Sequence, residues 1–125
     1  MNRLLKLLVL LPALLFMTMG IRWFVAPAGV AEQLGLTLEY GVGLSSQVGD
    51  LGAFFLTLAL CMLIALVTGR RIWYYPAIML LSLAATGRVL AWLFHDAALA
   101  VDLIAPEVVV AIILVIASRR LPERD

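Results

Sequence analysis

The sequence is poor in the residue types on which most soluble enzymes depend. Its single cysteine, Cys61, leaves no intrachain disulfide and no cysteine-based zinc cluster. Its single histidine, His95, excludes any centre built from several imidazoles of one chain. Charged residues make up 14% of the chain and nearly cancel, to a net +1. No basic patch interleaved with aromatics is present, so nucleic acid is not an expected partner. Nucleophile elbow, metal-binding motif and phosphate loop are missing as well. What the chain does have is apolar bulk: 65% of its 125 residues are hydrophobic, and its mean hydropathy is +1.11. A soluble domain of this length has too much surface for its volume to hide so many apolar side chains. Hydrocarbon must serve as the solvent, and an integral membrane protein is expected.

A helix needs about 20 apolar residues to cross the hydrocarbon core. Four segments meet that requirement, approximately residues 4–25, 49–68, 73–94 and 98–117. The strict alternation of a membrane β-barrel is absent. The expected architecture is all-α: one domain over residues 1–125, built as a four-helix bundle. Only the short "GRR" of residues 69–71 separates the second span from the third, which makes them antiparallel neighbours. Arg3, Lys6, Arg70, Arg71, Arg119, Arg120 and Arg124 then fall at one end, and only Arg22 near the other. By the positive-inside rule both termini are cytoplasmic. Glu32, Glu39, Asp96 and Asp102 lean toward the opposite end. The start, "MNRLLKLLVLLPALLF", also has the charge and apolar run of a signal peptide, and Ala26-Pro27-Ala28 loosely mimics a cleavage site. The run is long for that role and Arg22 interrupts the stretch before the site, so the segment is expected to be retained as the first span.

The connection between the first two spans is long for a bundle, and such segments are often functional. Pro27 can open a short helix with Val30 and Leu34 on one face and Glu32 and Gln33 turned to water, lying at the outer interface like a lid. A passive surface loop is the competing reading. "TLEYGVGLSSQ" reads as a glycine-rich turn, with Ser45 or Ser46 capping the second span.

Ionisable residues within the spans are the informative ones, because charge is costly in hydrocarbon and such groups tend to pair. Glu107 is nine residues past Ala98, about 13 Å into the fourth span, and a carboxylate cannot reach far toward water. Pro106 beside it should kink the helix and release the carbonyl of Asp102. Arg88 lies about 9 Å in from Phe94, and Arg88, Trp92 and His95 share a helix face. In the second span, Asp50, Ala53, Thr57, Cys61, Ala65 and Thr68 form a small, polar stripe expected to face the bundle, opposite Phe54, Phe55, Leu56 and Leu58. Pairing Arg22 and Arg88 with Asp50 and Glu107 would balance charge, leaving His95 and Asp102 at the rim. The expected site is therefore a polar pocket in the outer half, drawn from Arg22, Asp50, Arg88, Trp92, His95, Asp102 and Glu107. Arginines suit an anionic or carbonyl-bearing guest. A buried ion-pair network that only fixes helix register accounts for the same residues. Asp96 reads as a solvated turn residue, Cys61 as packing, and Trp23, Trp73, Tyr74 and Tyr75 as interfacial aromatics.

"LGLTLEYGVGLSSQVGDLGAFFLTLALCMLIALVTGRR", followed by "GRVLAW" and "PEVVVA", resembles a group of small bacterial four-span membrane proteins known only as a domain of unknown function. More loosely it resembles the DoxX-like membrane superfamily. The likeness spans nearly the whole chain, with Gly49-Asp50-x-Gly52-Ala53-Phe54-Phe55, Gly87-Arg88 and Glu107 as its most recognisable pieces. It implies a multi-pass bundle in the bacterial inner membrane and brings no reaction or cofactor with it. DoxX-like proteins are linked to quinone or redox partners, and related four-span proteins to the assembly of other membrane proteins. The functional expectation is a ligand-binding or accessory membrane protein whose pocket takes a small polar or amphipathic molecule. Two alternatives stand beside it: an intramembrane enzyme using Glu107, Asp50 or His95 as acid or base, and an assembly factor with a purely structural ion-pair network. A four-span transporter would have to dimerise, and no internal repeat supports one. The bilayer is the one obligatory partner; a second copy or a larger membrane protein is open.

Overall fold

The computed structural model describes residues 2–122, so Arg124, counted above with the basic end, lies outside the described residues. Among these residues every regular element is a helix, with no β-strand. Helix α1 spans Asn2–Val25, the short α2 spans Pro27–Gln33, α3 runs over Gly41–Thr68, α4 over Arg71–Phe94 and α5 over Val101–Arg120. The four long helices are each long and apolar enough to cross a membrane, and most of the surface of each faces outward. That outward surface is apolar, as in Leu11, Leu15, Met79, Leu83, Val109 and Ile112. Lipid is the solvent that makes such a surface stable.

The bundle is a closed square. α1 packs most extensively on α3 and α4 on α5, while α3–α4 and α1–α5 contacts complete the ring. Its centre is a cluster that includes Val9, Ala13, Leu58, Met62, Leu81 and Leu114. Close approach of α1 and α3 depends on two glycines. A Cβ on Gly20 would come within 2.6 Å of Leu56 Cγ, and one on Gly52 within 2.4 Å of Phe24 Cε1. Between α3 and α4 the chain reverses at Gly69, which sits in the left-handed region (φ 66°) and donates its N–H to the Ala65 carbonyl at 3.0 Å. This is the helix ending that only glycine makes without strain. Hydroxyls within the apolar helices return to their own backbone: Thr18 to Leu14, Thr68 to Ile64, Thr86 to Ser82 and Ser118 to Val115. They therefore present few unmet hydrogen bonds to hydrocarbon.

Several expected boundaries move. The second span starts at Gly41 rather than near residue 49, because "GVGLSS" is helical. Glycine is tolerated in membrane helices, so it does not act there as a turn signal. Tyr40 is the N-cap, and neither Ser45 nor Ser46 caps anything. From Gln47 to Leu51 the helix widens into a π-helical turn before resuming at Gly52. That extra residue rotates the top of α3 relative to a uniform 3.6-residue count. In the regular helix below that turn, the inward face carries Gly52, Phe55, Leu58, Ala59 and Met62, along with Cys61 and Ala65. Asp50, Ala53 and Thr57 face outward, which corrects the stripe read from the sequence. The third span opens at Arg71 with a 3-10 turn, and the fourth occupies Val101–Arg120, about three residues later than expected. Pro106 lies inside α5, and Tyr74 is core rather than interface, 1% exposed.

Candidate functional site

The site lies at the end of the bundle remote from the termini. α2 folds back over that end: Pro27 opens it as a helix-compatible first residue. Val30 and Ala31 are buried, Leu34 is half-buried, and Glu32 and Gln33 are exposed. Two side-chain tethers hold the flap. Arg22 Nη1 donates to Gln33 Oε1 at 3.0 Å, joining the top of α1 to the end of α2. Gln47 pins the following segment from both sides of its amide: Nε2 donates to the Thr37 carbonyl at 3.0 Å, and Oε1 accepts from the Glu39 N–H at 2.9 Å.

Beneath the flap, α4 and α5 bring Arg88 and Glu107 together, with Nε 2.9 Å from Oε1. The carboxylate side chain is 13% exposed and the guanidinium 33%. With α5 beginning at Val101, Glu107 lies six residues in, about 9 Å. Two cavities meet at Arg88. One, of about 270 Å³, is walled by Leu34, Leu36, Leu51, Phe54, Phe55 and Ala84, with Arg88 and Glu107 as its polar groups. The other is wider and more open, about 500 Å³, and runs from Arg88 past Glu32 and Gln33 to Asp102 and Leu103. Arg88 stands between a greasy chamber and a more polar vestibule.

Of the seven residues singled out in the sequence, the fold joins Arg88 with Glu107 and places Asp102 in the vestibule with Arg88. Arg22 is spent on Gln33 rather than on an acid. Asp50 is exposed in the π-helical turn and has no ion-pair partner among the described residues. Trp92 is 45% exposed on the outer surface of α4, and His95 ends that helix in the open. Asp96 follows in a left-handed turn (φ 58°), a conformation that aspartate tolerates better than most residues. No cluster of His, Cys, Asp and Glu capable of holding a metal occurs among the described residues.

Sequence reasoning missed the aromatic wall and Trp23. Trp23 is wholly buried, packed with Val30, Ala31 and Phe55, and Leu34, Leu51 and Phe54 flank the same cluster. Its indole Nε1 finds no acceptor. A buried donor left unmet costs about 1–3 kcal/mol, and it lies in a cluster sharing four residues with the cavity wall. The signal was available: Leu5, Val9, Ala13, Gly20 and Trp23, the buried positions of α1, follow helical spacing.

Comparison of the chain with protein-family models, with curated proteins and with solved structures finds no match. The functional reading therefore rests on the geometry.

Proposed function

We propose that this is a multi-pass protein of the bacterial inner membrane, loosely DoxX-like, with both termini in the cytoplasm and α2 at the outer interface. Its pocket takes a small amphipathic guest with an apolar body and a carbonyl or hydroxyl group. The observation that carries this reading is the Arg88–Glu107 pair set in the wall of an otherwise apolar cavity under a tethered flap. Such a combination, an apolar chamber with few convergent polar groups, is the usual character of small-molecule sites. At about 270 Å³ the chamber sits just below their common size range, so the guest, or the part of it enclosed, is small. Glu107 neutralises Arg88, so the site favours a neutral, hydrogen-bonding group over a full anion. Arg88 is the recognising residue, Glu107 positions it, and Phe54, Phe55 and Leu36 enclose the apolar part.

Native mass spectrometry on gently extracted protein tests the reading. A small molecule should be retained by the wild type and lost from Leu36→Trp, which fills the chamber from its rim. A wild-type protein that carries nothing, and that no carbonyl-bearing amphiphile stabilises, would end the proposal.

The second reading has its own supporting fact. The pair satisfies itself across α4 and α5, so it can serve purely as a staple between those helices. That reading requires the Leu36→Trp protein to match wild type in every small-molecule binding measurement.

A further inference from the structure

A second candidate site lies on the opposite half of the molecule, along the outer seam of α4 and α5. Near the termini the seam opens into a hollow of about 440 Å³ bordered by Arg71, Tyr75, Ile78, Val115, Ser118 and Arg119. Beyond Val115 it continues as an apolar trough of about 430 Å³. Its floor is Ala85 and Ala111, both nearly buried, and its rims are Ile112 and Ile116. Small residues facing each other across the two helices leave the concavity. Two of the hydroxyls along the seam are engaged, Thr86 donating to the Ser82 carbonyl at 2.8 Å and Ser118 to the Val115 carbonyl at 2.7 Å. The exposed Ser82 hydroxyl is the remaining one in the otherwise apolar lining of the trough. The trough therefore offers contact and little hydrogen bonding. Its mouth differs in charge. Arg71 Nε donates to the Ser118 carbonyl at 2.8 Å, which fixes the guanidinium over the end of α5, and Arg119 stands exposed beside it.

From Arg119 to Val108, the span of the two hollows on α5, is eleven residues, or about 16 Å. One leaflet is half of an approximately 30 Å hydrocarbon core. The seam thus has the length of a single acyl chain, an apolar body and a cationic end at the depth of a headgroup. Basic pockets between membrane helices are suited to anionic headgroups. We propose that this seam is a binding site for a phospholipid with an anionic headgroup, its phosphate at Arg119 on the mouth and one acyl chain in the trough. The site requires the helices to lie in a bilayer; it does not depend on which side is cytoplasmic or on the guest of the other cavity.

The test is titration of delipidated, detergent-solubilised full chain with dioleoyl phosphatidylglycerol, dioleoyl phosphatidylcholine and inorganic phosphate, read by native mass spectrometry and by melting temperature. Phosphatidylglycerol should bind as a resolved one-to-one adduct and raise the melting temperature; phosphatidylcholine should do so much less, and inorganic phosphate not at all. Arg119→Gln should weaken phosphatidylglycerol binding about five-fold, the factor expected for one surface arginine. Arg119→Lys should retain most of it. Ser82→Phe, which fills the exposed trough without touching the core, should abolish the adduct while leaving the lipid-free melting temperature within a degree or two. Equal binding of the two lipids, or an adduct indifferent to both Arg119→Gln and Ser82→Phe, overturns the proposal. So does a phosphate response matching that of the lipid, which would make the mouth a plain anion site. A dimer that dissociates on Ser82→Phe overturns it too, by making a second copy the occupant.

Discussion

Replacing Arg88 and Glu107 by leucine, singly and together, should give three distinct stabilities whose order follows from exposure. Arg88→Leu strands a carboxylate whose side chain is only 13% exposed, amid Phe54, Phe55 and Leu51. Breaking a buried pair from one side costs about 3–5 kcal/mol, and this pair is incompletely buried, so about 3 kcal/mol is expected. Glu107→Leu strands the guanidinium instead, but a third of that side chain already meets solvent, and its long stem can carry the charge outward. Its loss is that of one charge-assisted hydrogen bond, discounted for exposure, about 1–2 kcal/mol. The double substitution leaves no charge to desolvate and two side chains of suitable size against an apolar wall. Such replacements are close to neutral, so the double variant should lie within about 1 kcal/mol of wild type. The double-mutant cycle then yields a coupling of about 4 kcal/mol, measured by denaturant titration of the detergent-solubilised protein with helical circular dichroism as the readout. Retained stability in the double variant, with loss of the small-molecule adduct, separates recognition from stapling. Additive single effects, or a Glu107→Leu cost exceeding that of Arg88→Leu, would refute the burial argument.

Other substitutions test the packing and the flap. Gly20→Ala should destabilise by about 1–3 kcal/mol, because the new Cβ meets the middle of Leu56 and its backbone nitrogen. Gly52→Ala should cost less in the same unfolding assay, since its clash is with the ring of Phe24, which is 54% exposed and can swing away. Gln47→Ala removes both bonds to the segment after α2, each worth about 1 kcal/mol. Hydrogen exchange should accelerate across residues 34–40 and stay unchanged in the centre of α3. Fused to the C-terminus, alkaline phosphatase should be inactive and green fluorescent protein fluorescent in intact cells; the reverse pattern would invert the proposed orientation.

Run length and charge placement were legible in the chain because they are properties of single segments. An apolar stretch of about 20 residues must be a helix in hydrocarbon, whatever it packs against. Glu107 was legible as needing a polar neighbour for a related reason, since a carboxylate that deep cannot reach water on its short stem. That the neighbour is Arg88 rather than Arg22 or water, the packing of α4 on α5 decided. A short helix opened by Pro27, with Val30 and Leu34 on one side, was one of two readings the spacing allowed, the other being a passive loop. The structure has the helix over Pro27–Gln33 with Leu34 as its C-cap. The inward face of α3 did not follow from spacing. In a helix whose lipid side is as greasy as its core side, periodicity carries almost no information about orientation. Gly52, Phe55 and Met62 turn inward because that face of the regular helix packs on its neighbours, Gly52 against Phe24 of α1, and the π-helical turn breaks the register only above them, at Asp50. Trp23 under the flap, Gln33 rather than an acid opposite Arg22, and the seam beneath Arg71 and Arg119 likewise depend on which surfaces meet. Hydrophobicity decides that these helices form and where each begins to be costly to charge; only close packing between them decides which side chains share a cavity.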